Sequence, residues 1–156
     1  MDDLQVFDGV GVALKGDTIV SLWLEPATLS RVRWHRAVVE SFFARVEQPL
    51  VLMIIHETSS PPKGEARDES NALAGKLARR VRAMVTVASG NGLWEQVVRS
   101  MMRAMFLMSG QSKRLSVVAS EAEGIARITR ESGGSTPSAS EIAAVIEGLR
   151  VGLQSD

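Results

Sequence analysis

The 156-residue chain contains no cysteine. That excludes disulfides, thiolate zinc sites and cysteine nucleophiles together. Net charge is also missing: 18 basic residues balance 18 acidic ones. No long-range field therefore draws the chain to nucleic acid or to an anionic membrane. The densest basic cluster, Lys76 to Arg82, falls at the end of an expected helix, where cations suit the macrodipole. Histidine is scarce, with two in the chain, too few for the usual zinc ligand sets. No apolar run free of charge approaches the roughly 20 residues of a membrane span. Met1-Asp2-Asp3 lacks the basic-then-apolar start of a signal peptide. A soluble cytoplasmic protein without metal or cofactor is the expectation.

What is present is enough apolar material for one core, at 45% of residues. "VGVAL" and "TIVSLWL" are rich in β-branched and apolar residues, and Lys15-Gly16-Asp17 between them offers a tight turn. Pro26 ends the second strand, and Thr28 suits the N-cap of a helix whose apolar face includes Val32, Val39, Phe42 and Val46. "LVLMII" is an unbroken apolar run, as in a strand covered on both faces of a parallel sheet. Leu73, Leu77 and Val81 mark a second helix, "AMVTVAS" a further strand, and "GNG" (90–92) the opening of a third helix that ends at Gly110. "RLSVVAS" (114–120) is the last strand. Ser120 with Glu123, and Ser138 with Glu141, have capping-box spacing before two more helices.

The order ββαβαβαβα plus an appended helix predicts a single-domain α/β sandwich with a mixed, mostly parallel sheet. "VGVAL" is expected as its antiparallel edge strand. The domain spans 1–131, a Gly/Ser linker 132–138, and a C-terminal amphipathic helix and tail 139–156.

This order, the opening "VGVALKGDTIVSLWLE" and the ending "RLSVVASEAEGIARI" resemble the STAS domain, in its bacterial SpoIIAA-like branch related to anti-sigma-factor antagonists. The resemblance implies a regulatory protein-interaction module, partnered by a kinase or another regulator. It also implies phosphorylation just after a central strand, which places the candidate acceptors at Ser59 and Ser60. Glu57 and Pro61-Pro62 stand where the family has an aspartate and a glycine. Some SpoIIAA-like sequences look similar to the lipid-binding Sec14 fold, so a lipid or other apolar ligand is a second expectation.

The residues themselves mark three places. His56, Glu57 and Thr58 stand at the carboxyl end of a central strand, where open α/β sheets bind ligands. An imidazole beside a carboxylate there suits a general base, so a small hydrolase-like enzyme is a third alternative. Ser89, Gly90, Asn91 and Gly92 join a strand to a helix, and free amides at such a start suit an anion or form an ordinary tight turn. The third helix aligns Trp94, Val97, Val98, Met101, Met105 and Met108 on one face, which reads as core. Met102, Phe106 and Leu107 add apolar surface beside that stripe, and Ile142, Ile146 and Leu149 form the stripe of the last helix. The two together are the expected apolar interface, closed within the chain, in a homodimer or against a ligand.

Overall fold

Two tight turns near the N-terminus start the sheet. β1 (Asp3–Phe7) pairs antiparallel with β2 (Val10–Lys15), and β2 with β3 (Thr18–Trp23). Between β1 and β2, Asp8 and Gly9 both take positive φ, 45° and 86°, as a type I′ hairpin turn requires. Gly16, at φ 57°, opens the second two-residue turn. The computed structural model describes residues 3–107, 114–131, 133 and 136–155, with backbone alone for 105–107. The side chains of Met105, Phe106 and Leu107, and all of Met108 and Gly110, lie outside the described residues.

β1 corrects the sequence reading. It takes the edge position expected for "VGVAL", whose strand β2 lies one place further in. β4 (Leu50–His56), β5 (Ala83–Ser89) and β6 (Leu115–Val118) then continue in parallel from β3, and all six strands stand in sequence order. Parallel strands laid down in order with crossovers of one hand put every connecting helix on the same face. Accordingly α1 (Leu29–Phe43), α2 (Glu65–Arg80) and α3 (Gly92–Leu107) share one core with Trp23, Met53 and Met84.

The opposite face is closed by the two helices after the last strand, α4 (Glu121–Thr129) and α5 (Ala139–Ser155). Ile128, Ile142, Val145, Ile146 and Leu149 are buried there against Ala13, Leu22, Leu52 and Val85. Ser138 and Glu141 make the capping box at the start of α5, with Ser138 N–H donating to Oε1 at 3.1 Å and Glu141 N–H donating to Oγ at 3.2 Å. Burying four such aliphatic side chains contributes about 1.5–3 kcal/mol each before ordering costs. The apolar set expected as one interface is thus divided: Met102 lies in the core under α1–α3, and Ile142, Ile146 and Leu149 lie in the core on the other side of the sheet.

Candidate functional site

The core under α1–α3 is not filled at the carboxyl end of the strands. A cavity lies there, floored by Trp23, Met53, Ile55 and Met84. Its roof is the inner faces of three helices. α2 contributes Ser70, Leu73, Ala74 and Leu77, the i, i+3, i+4, i+7 pattern of one helical face. α1 contributes Val32 and His35, and α3 contributes Trp94, Met101 and Met102. The rim is the loop after β4, through Ser59, Ser60, Pro61 and Pro62. The cavity volume is about 80 Å³, where on the same measure about 10–15 Å³ admits one water.

Long and flexible thioethers give this space its adaptability. Met53, Met84, Met101 and Met102 all border it, and methionine repacks around irregular shapes more readily than branched side chains do. The roof is held by charges on its outer surface. Arg36 donates to Glu40 at 3.0 Å and to Glu69 at 2.6 Å, and Lys76 donates to Glu40 at 3.0 Å. These bonds tie α1 to α2. The hydrogen bonds from Lys76 and Arg36 hold the Glu40 carboxyl below its usual range.

Few polar groups reach the cavity, and each has a readable state. His35 is buried, lies tilted against Trp23 with ring centroids 5.0 Å apart, and has Nε2 at 2.9 Å from Ser21 Oγ. Desolvation lowers its pKa to about 3, so the ring is neutral at physiological pH. Ser59 is 3% exposed, and its hydroxyl has no hydrogen-bond partner among the described residues. Trp94 Nε1 is occupied, donating to Ile55 O at 3.1 Å. The wall is therefore mostly apolar, with neutral polar points at His35, Ser59, Ser60 and Ser70.

The residues singled out beyond β4 close on each other as a rim. His56 Nδ1 accepts from Thr58 N–H at 3.2 Å, and Thr58 Oγ1 donates to Leu24 O. Glu57 turns away from His56: its Oε2 accepts from both Asn91 N–H, at 3.2 Å, and Asn91 Nδ2, at 3.1 Å. The imidazole and the carboxylate are not brought together. In the 89–92 loop the Asn91 amide is taken by the Glu57 carboxylate, and Ser89 O accepts from Glu57 N–H at 2.9 Å. Asn91 caps α3 through Oδ1, which accepts from Trp94 N–H at 2.9 Å. Gly92 opens that helix, and Gly90 packs so near Glu57 that an added Cβ would stand 2.8 Å from its side chain.

The two candidate phosphoacceptors differ in access. Ser59 faces inward, and Ser60 is exposed, with its carbonyl accepting from Ala27 N–H at 3.1 Å. On α3 the expected stripe is shifted. Val98 and Met102 are buried, while Val97 is 46% exposed, because a helix lying over the sheet's β5–β6 side buries a narrow band. Sequence reasoning passed over His35, Ser21 and Met84 as site residues. The signal was present for one of them, since a histidine in the apolar stripe of α1 must face the core.

No family model, curated protein or solved structure matches the chain. Among the described residues, no helix is long and apolar enough to cross a membrane.

Proposed function

We propose that the chain is a non-catalytic binding module whose site is the cavity between the sheet and α1–α3, and that its ligand is a small, mostly apolar molecule. The observation that carries this is the unfilled apolar space bordered by four methionines, whose rim lies at the carboxyl ends of β3 and β4, where open α/β sheets collect their ligands. The neutral His35 and the unpartnered Ser59 hydroxyl supply one or two orienting hydrogen bonds, as small-molecule pockets usually do. Trp23 and Trp94 stand in the wall. Titration with decanol should therefore give a saturable change in tryptophan fluorescence, and a flat titration would remove the reading.

A regulatory role rests on the resemblance to STAS domains and on the position of Ser60. This exposed hydroxyl sits on the cavity rim, so a phosphate there would place about −1.5 to −2 charges at the mouth. The loop would then report occupancy to a protein partner, or a kinase would control occupancy through the loop. Treatment with the cognate kinase and ATP should label Ser60 and leave the buried Ser59 unlabelled. Label confined to other sites would end this part of the proposal.

A further inference from the structure

We propose that the ligand is an anionic amphiphile, with its tail in the cavity and its head group held by one of two guanidiniums, Arg67 or Arg79, which lie along the groove next to it. This rests on the cavity being a binding site. On α2, positions 70, 73, 74 and 77 face the cavity. The neighbouring stripe at four-residue spacing, positions 67, 71, 75 and 79, faces a second and wider groove that also borders α3. The two spaces share Pro61, Pro62 and Met101 as common wall. A ligand longer than the cavity therefore leaves it beside these three side chains and reaches the groove.

The two spaces differ in chemistry. The cavity presents neutral groups only, and its volume of about 80 Å³ holds little beyond a short hydrocarbon segment. The groove is about 880 Å³ and is lined by Arg67, Lys76 and Arg79 against a single acid, Asp68. Lys76 is engaged by Glu40 at 3.0 Å. Arg67 and Arg79 have no carboxylate partner among the described residues. An unpaired guanidinium offers a planar fork that fits a carboxylate or a phosphate in a bidentate manner. Apolar cavity, shared wall and cationic groove follow one another in the order of an amphiphile's parts.

The test is calorimetric titration of the full chain with decanol, decanoate and decyl phosphate at low salt. The proposal expects an anion to bind about tenfold more tightly than decanol, the worth of a charge-assisted bond. The preferred anion names the head group. In the double variant Arg67→Ala, Arg79→Ala, that preference should vanish while decanol affinity stays unchanged, which also shows that the cavity is intact. Equal affinities for all three probes in the wild type, or a preference that survives in the variant, would overturn the head-group assignment and leave the cavity reading standing. Failure of all three probes to bind would overturn the cavity reading, and this inference with it.

Discussion

Arg82 Nη2 donates to Asp17 Oδ2 at 3.0 Å, joining residues 65 positions apart at the amino end of the parallel strands. Asp17 is the last residue of the β2–β3 turn, and it also accepts from Thr136 Oγ1 at 2.7 Å. Arg82 reaches the same segment by donating to Glu131 O from Nε, at 3.1 Å, and from Nη2, at 2.8 Å. One ion pair thus fixes the hairpin, the start of β5 and the chain between α4 and α5. Asp17→Ala should cost about 2–3 kcal/mol, because it removes charge-assisted bonds from a carboxylate that is only 8% exposed. Thr136→Val should cost about 1 kcal/mol. Since both lesions break the same contact, the double variant should lose less than the sum in urea denaturation. Strict additivity would show that Thr136 gains nothing from Asp17.

His35 predicts an acid limb in stability. Its folded pKa of about 3 lies below the ordinary value of 6.5. Below pH 6.5 the unfolded chain takes up a proton that the folded chain does not. The contribution is therefore complete above pH 6.5 and is lost toward pH 3, by up to about 1.4 kcal/mol per pH unit. His35→Gln keeps a side chain able to bond Ser21 and carries no titrating group. Between pH 7 and pH 4.5 the wild type should lose roughly 2–3 kcal/mol more than this variant in urea-derived stability. Parallel losses would show that His35 is not held neutral by the fold.

The last helix is predicted to be part of the fold's stability. Ile142, Ile146 and Leu149 are fully buried at 0–1% exposure. Ile146→Ala and Leu149→Ala should each cost about 2–5 kcal/mol, from lost transfer energy and the void left behind. A chain ending at Glu131 bares the α5 side of β1–β3 and should melt well below the full chain in calorimetry. An unchanged melting temperature would make α5 an independent tail.

These elements were unequally visible in the amino-acid order. The buried parallel strand β4 shows as an unbroken apolar run up to His56 and β5 as one interrupted by Thr86, and both capping boxes show as Ser-x-x-Glu, because local chemistry alone decides them. β1 escaped detection because an edge strand is half solvated and "DLQVF" mixes polar with apolar residues. Its signal lay in the following Asp8-Gly9, a pair suited to positive φ at two successive positions. The cavity was illegible for another reason. Ser70, Leu73, Ala74 and Leu77 make the same stripe whether the space beneath them is filled or empty, and packing density is a property of the assembled molecule. Glu57 likewise read as a neighbour of His56, and only the approach of the β5–α3 loop assigns its carboxylate to Asn91.

Three tryptophans allow the binding site to be located in one experiment. Trp23 and Trp94 line the cavity, whereas Trp34 stacks on Phe7 with ring centroids 5.5 Å apart and does not line it. In a nitrogen–proton correlation spectrum the three indole groups give separate signals. On titration with decanol, the Trp23 and Trp94 indole signals should shift together and saturate at one equivalent, with Trp34 the least affected. Shifts centred on Trp34, or none at any of the three, would contradict the assignment of the cavity as the ligand site.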